Sequence, residues 1–482
     1  MIHLNRRGTL LGGGLLLLGH ARKQARAATP SQPKDLAASA PVFLLDPHMP
    51  PLGLSAIEVA DDAAFEAALR RFRVGASSPL STASHRLVVT GPLGQKHVIA
   101  GIDPINGLPL VVEGAHGDLR KVASEGPQIS GEIEAQSPVW LHAVRIDNGR
   151  ADTSASGKAA APYRVRLAPG SGGSKITHSY LRGQQIVGSG HPAVSGADAV
   201  PDVTIAFVHF FTGTENRDSA DHVEVCIKNT SNQVFPHRWT FYRNFFEKKA
   251  GAMYSEDMNI YLAHGYGFAP YGTRRVVEDW RIEENMSEGQ SHRSVYYLKH
   301  AGPGCVIRRN VHNTYNPSGY GAGGAILRGN GTYGVLVEGE KVIKLGEFNV
   351  QGRDHRIQGC DFGGVEVGIA ADAVNPRTGK GSEGANGLVM WGCTGGSFVL
   401  GTKLSRDDFV ADLRDVLFEG VGPASWEDGS GQPLSFDDDG YLSGAYAHVD
   451  GTSIRRLDGT SRPLAAVSTI AREDVGPGAG VK

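Results

Sequence analysis

IRRNVHN, residues 307–313, shares its outline with four other stretches: YRNFFEK at 242–248, WRIEENM at 280–286, IQGCDFG at 357–363 and MWGCTGG at 390–396. Each is a short β-prone run, then Asn or Cys, then a second short run. Recurrence at spacings of roughly 20 to 50 residues is the mark of a stacked solenoid, because one coil cannot bury its own apolar face and needs neighbours. An inward asparagine at a turn can satisfy the backbone groups exposed there, which accounts for the repeated Asn. The turns are irregular in length, and neither hairpin dipeptides nor blade signatures recur, which disfavours a sandwich or a propeller. Gly 65 in 482 residues is about twice ordinary usage and has no collagen-like period, as a fold with very many tight turns requires. The expected fold is all-β, a right-handed parallel β-helix with an N-terminal capping helix.

That helix is DDAAFEAALRRFR, Asp61 to Arg73, where apolar residues at helical spacing follow two acids that suit a helix N-terminus. It is placed over the open end of the coil stack, whose unpaired edge otherwise invites aggregation. The chain divides into a leader (1–27), an N-terminal segment with the capping helix (28–100), the β-helix (101–420) and an irregular segment ending in a disordered tail (421–482). Ala151 to Gly173, rich in Ala, Gly and Ser, reads as an excursion between coils. Asp437 to Gly440, DDDG, lacks the alternating ligands of a calcium loop and reads as an acidic turn.

The leader carries Arg6 and Arg7, an apolar run from Leu10 to Leu18, and Ala25-Arg26-Ala27 as a small-residue cleavage site. It resembles a twin-arginine export signal, and its apolar run is too short to serve as a membrane anchor. A periplasmic or secreted monomer is expected. Cys226, Cys305, Cys360 and Cys393 are spaced too widely for a zinc site, and pairing and buried thiols both remain open. A formal net charge of -2 supplies no global basic field for nucleic acid or anionic membranes. A charged partner must be met locally.

The local candidate lies in SVYYLKHAGPGCVIRRNVHNT, 294–314. Period-two alternation puts Arg293, Val295, Tyr297 and Lys299 on one strand face and Ser294, Tyr296 and Leu298 on the other. About thirty residues later Arg328 again ends a short apolar run before a Gly-Asn-Gly turn. Two cations at matching ends of consecutive coils would lie side by side. A lysine becomes a usable base near neutral pH when burial or a neighbouring cation lowers its pKa, and an arginine clamps a carboxylate through two parallel hydrogen bonds.

The pattern K-x-n-V-x-x-N followed by a small-residue stretch and [aliphatic]-R-x-G resembles polysaccharide lyase family 6, the right-handed parallel β-helix enzymes that include chondroitinase B and alginate lyases. The resemblance covers mainly residues 290–340. It implies that Lys299 takes the C5 proton of a uronic acid and that Arg328 acts as acid or stabilises the leaving oxygen, on an acidic polysaccharide with alginate favoured. The family also implies Ca2+ held by two glutamates shortly before the lysine, but His292 and Ser294 fall near those positions, and the nearest acids are Glu283, Glu284 and Glu288. Further candidates for binding substrate are Tyr297, Arg293, His264, His292, His300 and His312, with Arg308 or Arg309 as additional cations. A β-helix glycoside hydrolase of the polygalacturonase type, which needs paired carboxylates, and a non-catalytic carbohydrate-binding solenoid are the alternatives.

Overall fold

The structure is a computed structural model that describes residues 47–51, 56–73, 85–147, 165–182, 186–188, 200–212, 227–230, 237–248, 258–263, 276–290, 294–298, 301–315, 327, 332–374, 381–402, 410–446 and 449–481. The leader lies outside them, as do Cys226 and most of the Ala151 to Gly173 excursion.

Short strands wind into three long faces. The first is a 14-stranded sheet from Ala56–Val59 to Ile454–Leu457, and the second is an 8-stranded sheet from Gln128–Ile129 to Lys341–Lys344. The third begins as a 7-stranded sheet from His97–Ile99 to Ser294–Leu298, and a 4-stranded sheet opened by Phe348–Val350 takes up the later coils. Within these faces, after the first two strands, those that follow one another in sequence lie in different sheets and each pairs in parallel with its counterpart one coil away, while two small antiparallel sheets, at Asp372–Val374 and at Ser435–Phe436, stand outside the faces. The described chain is therefore a parallel β-helix. It begins earlier and ends later than expected, since Ala56–Val59 and Ile454–Leu457 both belong to the first sheet.

Each coil has a rigid arc around its first-sheet strand. From Gly173 and His178 to Asp415 and Gly420, nine successive coils bracket that strand with two left-handed residues five positions apart, for example Asp279 (φ 59) with Glu284 (φ 55) and Gly304 (φ 78) with Arg309 (φ 51). The strand's central residue points inward: Ile176, Ile205, Phe241, Ile282, Ile307, Val337, Ile357, Met390 and Phe418 are all buried. A left-handed L-residue costs about 1 to 2 kcal/mol. It is held here by bonds such as Glu284 N–H to Arg308 O and Arg309 N–H to Glu338 O, which pass the corner from coil to coil.

The recurring Asn is the residue after that corner. Asn244 N–H and Nδ2 donate to Asn285 Oδ1, Asn285 N–H and Nδ2 to Asn310 Oδ1, and Asn310 N–H and Nδ2 to Glu340 Oε1, at 2.8 to 3.0 Å. Each amide also donates to an interior carbonyl, of Ile205, Phe241 or Ile282. Cys360 and Cys393 continue the ladder as buried free thiols, and Cys305 is a third.

Helix Asp62–Phe72 starts at Asp61, whose side chain accepts from Ala64 N–H at 2.8 Å. Phe65, Ala68 and Leu69 are buried in the common core with Leu87 and Ile99, as a cap on the first coils requires. DDDG is the acidic turn expected, with Asp437 Oδ1 accepting from the N–H groups of Asp439 and Tyr441.

The tail is ordered, against expectation. It runs back along the corner: Trp391 Nε1 donates to Pro463 O, Ser468 Oγ to Arg309 O, Gly476 N–H to Arg243 O and Gly478 N–H to His178 Nδ1. The approach is close enough that a Cβ on Gly359 would stand 2.3 Å from Ala465 O, and one on Gly339 2.4 Å from Ala466 O. Val475 packs with Phe245, Met286 and Val311. The Arg472 guanidinium lies 3.6 Å from the Phe245 ring centre.

Two buried histidines give the fold an acid dependence. Burial pushes His355 down to about 4, and burial followed by the nearby His178 pushes His142 down to about 3. The unfolded chain takes up both protons below about pH 6.5, while the native state refuses them until far lower. Their contribution is therefore complete above pH 6.5 and is lost as pH falls toward 4, amounting to about 3 kcal/mol for His355. Urea midpoints measured from pH 7 to 4.5 should fall steadily, and a flat profile would contradict the burial of these rings.

Candidate active site

The strand Ser294–Leu298 pairs with Met258–Ala263 of the preceding coil, Tyr296 opposite Ile260 and Leu298 opposite Leu262. Tyr296 and Leu298 are buried in the interior and Tyr297 keeps 8 % of its surface, but Val295, which the alternation put on the Tyr297 face, is fully buried in the same core. The next coil contributes Val306–Arg308, Val311–Tyr315 and Leu327. Leu327 is buried and bridges Val350 one coil further on. Thr332, a few residues after Leu327, donates its hydroxyl to Leu298 O at 2.9 Å.

Two buried leucines thus occupy consecutive coils. In sequence, Lys299 follows the first and Arg328 the second. Those two residues lie outside the described part, together with Arg293, His264, His292 and His300.

His312 is described and is not a sugar contact. It points inward between Val311 and Asn313, has no exposed surface, and stacks edge-on to Tyr296 with ring centres 5.4 Å apart. Its Nε2 lies 2.7 Å from Glu340 Oε2. Glu340, also without exposed surface, was missed in sequence because it replaces Asn in the corner pattern; the signal was Gly339 before it, matching Arg309 before Asn310. Burial, then the Glu340 charge, holds the Tyr296 phenol well above its ordinary value, so it stays protonated.

Two of the acids named for calcium, Glu283 and Glu284, are committed elsewhere. Glu283 pairs with Arg281 at 2.8 Å and with Arg308 at 3.6 Å, and Arg308 also pairs with Glu338. Glu284 pairs with Arg243 at 2.8 Å and with Arg309. Arg308 and Arg309 are therefore neutralised by the chain's own carboxylates. Among the described residues no three His, Cys, Asp or Glu side chains converge to hold a metal. The described residues do not fit the calcium site that the family resemblance implies, and no step below passes through one.

No family model matches the chain, and no curated protein does. Among solved structures, an alginate lyase of the PL6 family in complex with a trisaccharide superposes with a TM-score of 0.46 at 11 % identity, covering 89 % of this chain and 96 % of that one. The PL6 family alginate lyase AlyGC superposes with a TM-score of 0.40 at 12 % identity, covering 88 % of this chain and 58 % of that one. Neither score reaches 0.5. The fold assignment rests on the strand register given above.

Proposed function

We propose that the protein cleaves a uronic-acid-containing polysaccharide by β-elimination, with alginate the favoured polymer. The observation that supports this reading is that Leu298 and Leu327, which precede Lys299 and Arg328 in sequence, are both buried and belong to consecutive coils. In the reaction proposed, Lys299 removes the C5 proton, the C5 electron pair forms the C4–C5 double bond, and the O4 bond breaks as its oxygen gains a proton. The dianion formed on the way is unstable unless the uronate carboxylate is neutralised, and a bidentate arginine does this without a metal. Arg293 or a neighbouring histidine fills that role, and Arg328 gives the leaving O4 its proton or stabilises its charge. The leader's resemblance to a twin-arginine signal suits a periplasmic or secreted enzyme, and we assign the protein as a monomer.

Incubation with a panel of uronate polymers, with and without chelator, tests the reading. Alginate should give products with new ultraviolet absorbance from the double bond, and the chelator should leave the rate in place. New reducing ends without absorbance would mean hydrolysis, and neither signal would mean a binding solenoid; both outcomes reject the proposal.

A further inference from the structure

The interior beneath Ser294–Leu298 holds polar atoms that the surrounding chain does not satisfy. Asn259 Oδ1, His312 Nδ1 and Thr314 Oγ1 are buried and find no hydrogen-bond partner among the described residues, and the buried Tyr296 Oη has only the Ser287 hydroxyl beside it, which leaves the phenol's own proton to donate. Their residues expose 1 % of their surface or less. All belong to three successive coils, and the register stacks Ser287 on His312 and Gly289 on Thr314. Asn259 Nδ2 donates to Ser287 Oγ at 2.9 Å, and the Ser287 hydroxyl neighbours the Tyr296 phenol. The Tyr296 and His312 rings are in edge contact. The apolar ladder of this face, which includes Leu181, Phe210 and Phe246, is interrupted here by Ser287 and His312, then resumes at Val342.

The unsatisfied atoms complement one another in a particular way. With Nε2 of His312 donating to Glu340, Nδ1 is an acceptor, as is Asn259 Oδ1, while the Tyr296 and Thr314 hydroxyls can both donate. Turning the Asn259 amide over exchanges its two roles with Ser287 and still leaves one amide atom unsatisfied. Two acceptors and two donors are what a single water, with two protons and two lone pairs, can satisfy. Buried waters are found where two to four otherwise unpaired polar atoms converge.

We propose that the solenoid interior between Asn259, Tyr296, His312 and Thr314 is a built site for ordered water, which ties Ser294–Leu298 to the coils on either side. The site does not depend on the proposed lyase activity.

A crystal structure of the full chain at a resolution that shows ordered solvent is the test. Density for water within about 3.2 Å of Asn259 Oδ1 and of at least two of the other three atoms is expected. An empty interior, or side chains closed directly onto one another, would overturn the proposal. Asn259→Leu, which supplies apolar bulk and removes one acceptor while leaving the His312 and Glu340 pair intact, should fold and lose that density. Water retained unchanged in this variant would also overturn it.

Discussion

Lys299→Ala should lower the rate of formation of ultraviolet-absorbing product by about 10²- to 10⁴-fold, the range a positioned general base contributes, with the unfolding midpoint unchanged. A solvated lysine is protonated at neutral pH and cannot accept a proton. One set beside a guanidinium and covered by substrate, as proposed for Lys299, would be disfavoured as a cation by both repulsion and desolvation. Arg328→Ala should be about as damaging, because the leaving O4 then lacks its acid or its stabilising charge. Adding Lys299→Ala to it should cost little more, since groups acting as a unit are non-additive. Initial rates on the polymer, alongside circular dichroism of each variant, check all three. Near-normal turnover in Lys299→Ala would remove the basis of the assignment.

Deleting residues 459–482 should cost on the order of 5 kcal/mol of stability, since it uncovers Phe245, Met286 and Val311 and frees the carbonyls of Arg243 and Arg309. That is a large part of what a typical domain has. Solenoids ordinarily add up their stability from neighbouring coils. Here residues from Pro463 to Gly478 touch coils as far apart as Trp391 and His178, so the deletion should also broaden the transition by uncoupling those coils. Chemical unfolding followed by fluorescence and by circular dichroism would show this as two curves that no longer coincide. A truncated chain with the intact midpoint and a single sharp transition would show that the tail merely rests on the surface.

The corner was the most legible feature of the sequence because it is local. A left-handed residue followed by an inward Asn or Cys recurs in nearly fixed form at Arg243-Asn244, Glu284-Asn285, Arg309-Asn310, Gly359-Cys360 and Gly392-Cys393. Glu340 escaped notice because a charged residue is not expected where a coil turns inward; it is tolerated there by the two donors of Asn310 and by His312. His312 shows the converse. Histidine is a credible surface ligand in any sequence, and only the register against Ser287 reveals that it points inward. The tail was misread because its contacts are bonds to corner carbonyls and close backbone approaches, which small residues make and which leave no hydrophobic period. The ends of the stack were drawn too narrowly for a related reason, as strands of four residues such as Ala56–Val59 carry little pattern. Lys299 and Arg328 lie outside the described residues, and the argument for setting them side by side remains the sequence one, that each ends a short apolar run.

The seam of tail against corner also bears on the order of assembly. Coils can wind upon one another as they leave the ribosome, each templating the next. Residues 460–480 are translated after every coil they touch, yet they dock as far back as His178. Locking of the seam therefore trails the winding of every coil it touches, and the corner carbonyls stand open until residues 460–480 emerge.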